Sequence, residues 1–166
     1  MADIISNPPL PDEDAVALVE LLFFAYRDFV ADPDGILEGL DFGRAHHRVL
    51  HFVGRDPGMT VAQLLDILRI TKQSLSRVLK DLLEKGYVFQ KAGEEDRRQR
   101  LLFLTEKGEA LWRDLVAPQT KRFRRAVAEL EQGDAAAYRD LLLGLINPEN
   151  REVAEAWVSR QRRNIP

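Results

Sequence analysis

The sequence predicts a mainly α-helical protein with a small β-hairpin wing, in which a winged helix-turn-helix domain lies between N- and C-terminal dimerisation helices. Residues 60–105 have the pattern of helix, tight turn, helix and hairpin. Residues 16–30 have the pattern of a helix that is apolar on more than one face, and a long helical pattern follows the hairpin. We divide the single intertwined domain into an arm with a first dimerisation helix (1–40), the winged region (41–105) and C-terminal helices (106–166).

The first helix follows an arm over residues 1–11 that contains three prolines. Asp12 to Asp14 favour a helix start because acids stabilise the positive end of the helix dipole. The helix is apolar almost all round from Val16 to Val30, so it must bury more than one face. A second subunit is the natural cover, and burial within one subunit is the alternative. Asp32 to Gly35, which reads DPDG, then predicts a turn.

The next helix is predicted from Phe42 to Val53, with Asp41 as its N-cap, and it carries all three histidines of the chain. His47 and His51 have the i, i+4 spacing of two metal ligands on a helix. A metal site needs further ligands, and the chain contains no cysteine. We therefore expect imidazoles that bond to backbone, water or a neighbouring acid, and no metal or other cofactor.

A helix-turn-helix is predicted from Thr60 onward. Thr60 and Gln63 have the spacing of a capping box, which starts a short helix with one apolar face. Arg69-Ile70 forms the turn, and Thr71 can cap the next helix. That helix has one apolar stripe and ends at Gly86. The stripe consists of Leu75, Val78, Leu79, Leu82 and Leu83.

The opposite face of this second helix offers hydrogen-bond donors on short or flexible side chains. The helix N-terminus also favours a phosphate, and a helix of ~12 Å diameter fits a DNA major groove. An ordinary solvated face is the alternative. The residues predicted to contact DNA in the helix-turn-helix are Thr60, Thr71, Lys72, Gln73, Ser74, Ser76, Arg77 and Lys80.

A wing is predicted from a strand over Tyr87–Lys91, a turn over Ala92–Asp96 and a returning strand over Arg97–Leu104. Arginine is the residue type that enters narrow minor grooves. We expect Asp96 to hold Arg98 in place by a charge-assisted hydrogen bond. The alternative is a mobile charged hairpin with no partner. The wing residues predicted to contact DNA are Asp96, Arg97, Arg98 and Arg100.

Three further helices are predicted after Thr105. The first runs to Leu130, and Pro118 should kink or interrupt it. Its basic cluster, Lys121 to Arg125, is a solvated face, a contact for the acidic first helix of a partner subunit, or an addition to the field that attracts DNA. Asp134 caps the second helix, 135–146. The last, 149–165, presents Val153, Ala156 and Trp157 and is expected to pack on the dimer.

Charge and composition limit the function further. The net charge is −3, divided as −8 over residues 1–40, +4 over 41–108 and +1 over 109–166. The positive excess lies on the winged region, and local field governs affinity for nucleic acid. The lack of cysteine excludes disulfides and thiolate sites. We see no signal peptide and no apolar segment long enough to span a bilayer, so we expect a cytoplasmic protein without a membrane partner.

Three segments resemble the MarR family of transcriptional regulators. Residues 96–105, DRRQRLLFLT, are similar to its wing signature, in which Asp-x-Arg is followed by Leu-Thr. Residues 74–88 resemble its recognition helix, and residues 44–53 its second helix, although the pair His46-His47 departs from the pattern. The resemblance covers about residues 12–146. It implies a homodimeric, ligand-responsive regulator of a pseudo-palindromic operator in double-stranded DNA.

In that family effectors bind between the dimerisation helices and the winged region. The resemblance therefore places a possible small-molecule effector beside Tyr26, Arg27, His46 and His47.

Sequence-specific DNA binding by a repressor is the function that these patterns favour. A winged helix used only for protein–protein contacts is the alternative, and a steep loss of affinity with salt would distinguish DNA binding from it. An enzyme is not predicted, because the sequence has no Gly-rich phosphate loop, nucleophile elbow or cysteine nucleophile.

Overall fold

The computed structural model describes residues 9–130 and 135–160. The elements in this part of the chain are α1 (Asp12–Glu38), α2 (Arg44–Arg55), β1 (Met59–Thr60), α3 (Val61–Leu68), α4 (Lys72–Glu84), β2 (Val88–Ala92), β3 (Arg100–Leu104), α5 (Glu106–Ala128), α6 (Ala135–Leu145) and α7 (Pro148–Arg160). The arm residues 1–8, the predicted cap Asp134 and the end of the last predicted helix lie outside the described residues.

The hydrophobic core lies between α2, the helix-turn-helix, the sheet and the first half of α5. Leu50, Leu64, Leu82, Leu102 and Leu115 are almost completely buried there. Each buried leucine contributes roughly 1.5–3 kcal/mol. The apolar stripe of α4 is part of this core, so the opposite face of α4 is turned to solvent.

The sheet contains a third strand that the sequence did not predict. Its strand order is β1-β3-β2, and all pairs are antiparallel. Met59 pairs with Leu102 and Thr60 with Leu101. Because β1 is only two residues long, it has no alternating pattern to recognise. The return strand begins at Arg100, so the prediction that it begins at Arg97 was wrong.

α1 continues through the segment that was predicted to be a turn. Pro33 is buried inside the helix and has no N–H to donate to the carbonyl of Phe29. Gln119 on α5 donates its side-chain N–H to that carbonyl, at 3.4 Å. The turn expected at Asp32 to Gly35 is therefore wrong, because a tertiary contact satisfies the carbonyl that the proline leaves free.

α2 begins later than predicted. Gly43 occupies the N-cap position, and its N–H donates to Nδ1 of His46 at 3.1 Å. Asp41, the predicted cap, has a φ of 57° in the bend that precedes the helix. Gly54 lies inside α2, where a Cβ would come within 2.6 Å of the indole of Trp112. Glycine at this position therefore allows α2 and α5 to pack closely.

α5 ends at Ala128 rather than Leu130, and Pro118 lies inside it without interrupting it. Within the basic cluster Lys121 to Arg125, Arg122 pairs with Asp32 on α1 of the same chain, at 2.9 Å. Arg122 thus joins the two long helices of one subunit, a role that was not among the predicted alternatives.

α7 packs on the winged region of its own chain. Trp157 meets Phe52 of α2 edge to face, with ring centroids 5.4 Å apart. Asn150 accepts a hydrogen bond from Arg69 at 2.6 Å. Val153 and Ala156 are exposed, and the half-buried residues of α7 are Asn150, Ala154 and Trp157. Within one chain α7 therefore contacts α2 and the end of α3, and it also pairs with α6 through Arg139 and Glu155; the expected packing of this helix on a dimer stays a prediction.

Large apolar side chains remain exposed on α1 and α6 of the single chain. On α1 the most exposed is Phe23, at 68%, and on α6 it is Leu145, at 61%. Other exposed members are Val16, Leu18, Val19, Leu21, Leu22, Phe24, Leu141 and Leu142. Among the described residues, no helix combines the length and apolarity needed to cross a lipid bilayer.

Candidate nucleic-acid interface

The helix-turn-helix is held by side-chain caps at both helix starts. Thr60 and Gln63 form the predicted capping box: Gln63 N–H donates to Thr60 Oγ1 at 3.2 Å, and Thr60 N–H donates to Gln63 Oε1 at 2.8 Å. Thr71 caps α4 by accepting the N–H of Ser74 at 3.1 Å. Arg69 forms the tight turn with a φ of 50°. The local sequence thus fixes the angle at which α4 leaves the turn.

One face of α4 is polar, exposed and available for a ligand. In the part of the chain that the structure describes, no side-chain hydrogen bond or ion pair engages Lys72, Gln73, Ser76 or Arg77. These positions follow one another at i, i+1, i+4 and i+5, so they share a face of the helix. Lys80 extends the face by one turn and lies 3.8 Å from Glu84. A surface of unengaged donors next to a helix N-terminus suits an anionic ligand.

Three of the residues predicted to contact DNA use their hydroxyl groups in hydrogen bonds within the chain. Thr60 Oγ1 bonds to Gln63, whereas Thr71 Oγ1 and Ser74 Oγ bond to each other at 2.8 Å. In the structure these hydroxyl groups therefore cap the N-termini of α3 and α4. The structure brings the other predicted residues of α4 together on one surface.

The wing projects from the sheet as a seven-residue tip between β2 and β3. The tip is closed by Gly93 N–H donating to the carbonyl of Gln99, and by Gln99 N–H donating to that of Asp96, both at 3.0 Å. Arg97, Arg98 and Arg100 are exposed. Glu94 and Glu95 lie in the same tip, so the arginines provide directed donors and not a large net charge.

Asp96 contacts Arg98 in a different way from the one expected. Its Oδ1 accepts the backbone N–H of Arg98 at 2.9 Å. The carboxylate therefore shapes the backbone of the tip, since this is the hydrogen bond of an Asx turn. The guanidinium of Arg98 has no side-chain hydrogen bond or ion pair within the described residues, and the turn positions only its backbone.

The base of the wing is fixed to α5 by Thr105. Its Oγ1 caps α5 by accepting the N–H of Gly108 at 3.0 Å, and its hydroxyl donates to the carbonyl of Gly86 at 2.7 Å. Thr105 N–H donates to the carbonyl of Tyr87 at 3.1 Å. The end of α4, the wing and the start of α5 therefore meet at one residue.

A second site lies in a crevice of about 230 Å³ between α1, α2 and α5. Tyr26 and His47, two of the four residues predicted for an effector, line this crevice. Arg27 and His46 do not. Arg27 pairs with Asp28 on the outside of α1. His46 contacts α4, since its Nε2 lies 3.2 Å from Asp81 Oδ2.

The crevice also contains residues that the sequence did not assign to it. They are Phe29, Val30, Asp34, Arg44, Arg48, His51, Phe52 and Gln119. The i, i+4 spacing of Arg44 and Arg48, and of His47 and His51, indicates from sequence alone that the members of each pair share a face of α2. No comparable local pattern in the sequence indicates which residues of α1 and α5 line the crevice.

Burial governs the titration of the crevice histidines. Desolvation, together with the charges of neighbouring His47 and Arg55, lowers the pKa of His51 to about 4. Desolvation also lowers the pKa of His47, although Asp34 opposes the shift. The hydrogen bond from Arg44 to Asp34 raises the pKa of Arg44. At neutral pH the crevice thus contains cationic arginines and uncharged imidazoles.

Comparison with known sequences identifies related regulators. Residues 40–99 match the model of the MarR family. The chain is 46% identical over 142 residues to the HTH-type transcriptional regulator PetP of Rhodobacter capsulatus, a match that covers 86% of each protein.

Comparison with solved structures identifies the same fold. Streptococcus pneumoniae FabT, solved in complex with DNA, superposes with a TM-score of 0.70 at 22% identity, over 80% of this chain and 94% of that one. The reduced form of MarR from E. coli superposes with a TM-score of 0.58 at 23% identity, over 85% of this chain and 100% of that one.

Proposed function

Because this chain belongs to the MarR family of helix-turn-helix transcriptional regulators, we propose that it is a cytoplasmic, homodimeric repressor. The dimer binds a pseudo-palindromic site in double-stranded DNA, and a small-molecule effector releases it. In each subunit α4 enters the major groove and the wing lies over the adjacent minor groove.

One observation carries the proposal: α4 presents a polar face on which Lys72, Gln73, Ser76 and Arg77 have no side-chain partners among the described residues. Lys72 and Arg77 supply flexible cations, and Gln73 supplies an amide that can pair with a base edge. Phosphates at the helix N-terminus add to this interaction. FabT was solved in complex with DNA, which supports the same role for the equivalent fold here.

The exposed apolar surfaces of α1 and α6 support the dimer. Phe23 and Leu145 are more than half exposed in one chain, and apolar patches of this size commonly mark protein interfaces. A second copy with two-fold symmetry would cover both and would place the two α4 helices about one DNA turn (~34 Å) apart. The operator is therefore expected to be an inverted repeat.

The crevice between α1, α2 and α5 supports effector control. It lies between α1, which carries part of the exposed apolar surface, α5, and α2, which packs against α4. Arg48 and the uncharged His47 line it beside apolar Phe29 and Val30, so its ligand is a small organic anion. The dimer can adopt different separations of its two winged regions. A ligand that binds one of these conformations more tightly shifts the population toward it, by an amount set by the difference in affinity.

The proposal is tested by selecting bound fragments from a genomic DNA pool with the full-length protein. We expect fragments that share one inverted repeat, bound by two chains, with an affinity that falls steeply as salt rises. A pool without enrichment, together with salt-insensitive binding to another protein, would support the protein–protein module instead.

A further inference from the structure

His46 makes two contacts at the start of α2 and a third that joins this helix to the C-terminal half of α4. Its Nδ1 accepts the N–H of Gly43 at 3.1 Å, and its Nε2 lies 3.2 Å from Asp81 Oδ2. The ring stacks on Phe42, with centroids 4.6 Å apart and planes 17° apart. The His46 side chain is 13% exposed. Each atom of the ring that can hydrogen-bond is therefore engaged.

The Gly43 contact determines which nitrogen carries the proton. A backbone N–H is always a donor, so Nδ1 of His46 must be an unprotonated acceptor. The proton of the neutral ring is then on Nε2, which donates to the Asp81 carboxylate. A single tautomer thus caps α2 and holds α4.

The buried stripe fixes which face of α4 is turned to the core, but a small rotation of the helix keeps that face buried. Leu75, Val78, Leu79 and Leu82 bury its inner face, but hydrophobic attraction has no direction. A rotation of about 20° would move a side-chain tip, 5–6 Å from the helix axis, by about 2 Å. A hydrogen bond to a base edge tolerates much less than this.

Directional contacts to α4 come from the segment that precedes and begins α2. His46 holds Asp81, and one turn later Lys85 donates to the carbonyl of Leu40 at 3.0 Å. Asp81 follows Lys80 and lies one turn after Arg77, outside the apolar stripe. The His46 bond therefore acts on the turn of α4 from which predicted DNA contacts project.

We propose that His46 is a positioning residue for DNA reading: through its hydrogen bond to Asp81 it sets the rotation of α4, without touching DNA itself. The inference rests on the proposed function. It assigns specificity, and not general affinity, to this hydrogen bond, because phosphate contacts tolerate a small rotation that base contacts do not.

The test compares binding of two duplexes, a fragment selected from the genomic pool and a scrambled duplex of the same length and composition. For His46→Leu we expect the affinity ratio between selected and scrambled DNA to fall at least about tenfold, since each lost bidentate base contact costs roughly that much. Affinity for the scrambled duplex should stay within about twofold. A purely structural role would reduce both affinities together or neither.

The conservative variant His46→Gln keeps one acceptor and one donor and should restore most of the ratio. Asp81→Leu should lower the ratio as His46→Leu does, and the double variant should lose no more than either single variant, because one contact is lost in all three. Asp66→Leu removes an exposed carboxylate from α3 and is the matched charge control. Additive losses in the double variant would overturn the inference.

Two results separate the inference from the proposed function. If the wild-type protein does not discriminate between the two duplexes, the proposed function fails. If it discriminates and His46→Leu discriminates equally, only the role of His46 fails. Nitrogen-15 spectra of the wild-type histidine rings provide a test that needs no variant: we expect the Nε2–H tautomer at His46, and the Nδ1–H tautomer would overturn the inference.

Discussion

Gly108 is the residue at which the start of α5 approaches the wing most closely. A Cβ at this position would overlap the carbonyl oxygen of Tyr87. The same oxygen accepts the N–H of Thr105, at 3.1 Å. The backbone of α5 therefore lies against the wing at a distance that only glycine allows.

For Gly108→Ala we expect the free energy of unfolding to fall by about 2 kcal/mol, because backbone must move to admit the methyl group. Chemical denaturation at a fixed protein concentration measures the change. Gly35→Ala, in α1, is the matched control, since its Cβ would meet nothing within 4 Å. The control should be neutral or more stable by up to about 1 kcal/mol. Equal stability of the two variants would contradict the close approach.

His51 links stability to pH. Its pKa is lowered from 6.5 to about 4 in the fold, so the unfolded chain binds its proton more readily. Stability from this group is complete above pH 6.5 and is lost as pH falls from 6.5 to 4, by up to on the order of 3 kcal/mol.

Denaturation curves between pH 4 and 7 test the role of His51. His51→Gln removes the titrating group, so its stability should fall less steeply than that of the wild type as pH is lowered through this range. A variant with an unchanged slope would show that another group is responsible.

At the scale of elements, the proposed function assigns different parts of DNA recognition to α4 and the wing. α4 presents side chains that can read base edges, whereas the wing tip holds Arg97 and Arg98 on a turn shaped by Asp96. Both are fixed to the core through Thr105 and the buried stripe of α4. Substitutions in α4 and in the wing should therefore change DNA binding in different ways.

Arg98→Ala should weaken binding to selected and scrambled DNA by the same factor and lower the salt slope by about 1, because the proposal gives Arg98 a phosphate contact and no base contact. Arg113→Ala is the control, since Arg113 is exposed on α5 and pairs with Glu109. Affinity unchanged at physiological salt would show that the wing assignment is wrong.

Arg77→Ala or Gln73→Ala should instead change which sequence is preferred, at a cost of about 1–3 kcal/mol for the selected site. Repeating the genomic selection with each variant measures this change. Recovery of the wild-type motif with both variants would contradict base reading by α4.

At the scale of the whole molecule, one chain leaves its long helices incompletely covered. Phe23 on α1 is 68% exposed, although the helix around it is apolar on more than one side. In the proposed dimer, a second subunit that buries this surface also sets the distance between the two α4 helices. The proposal therefore couples dimerisation to DNA recognition.

Phe23→Asp should shift the protein from dimer to monomer in sedimentation at micromolar concentration, because a charge cannot be buried unpaired. Binding to the inverted repeat should weaken by more than about a hundredfold, since two half-sites no longer bind together. Val158→Asp introduces the same charge at an exposed position of α7 and should remain dimeric. If the Phe23→Asp protein is still a dimer, the assignment of α1 to the dimer interface is wrong.

The sequence by itself determined the elements that depend on local patterns. The Thr60–Gln63 capping box, the Thr71 cap, the stripe of α4 and the end at Gly86 involve residues within two helical turns of one another, and the structure contains each of them. The polar face of α4 followed directly, because it is the remainder of an amphipathic helix.

Only the tertiary structure decided the features that join distant residues. α1 passes through Pro33 because Gln119, far along the chain, bonds the carbonyl that proline leaves free. His46 of α2 contacts α4 and does not line the crevice, since its Nε2 lies 3.2 Å from Asp81 Oδ2. Local spacing carries no information about such partners, since their proximity arises only when the helices pack.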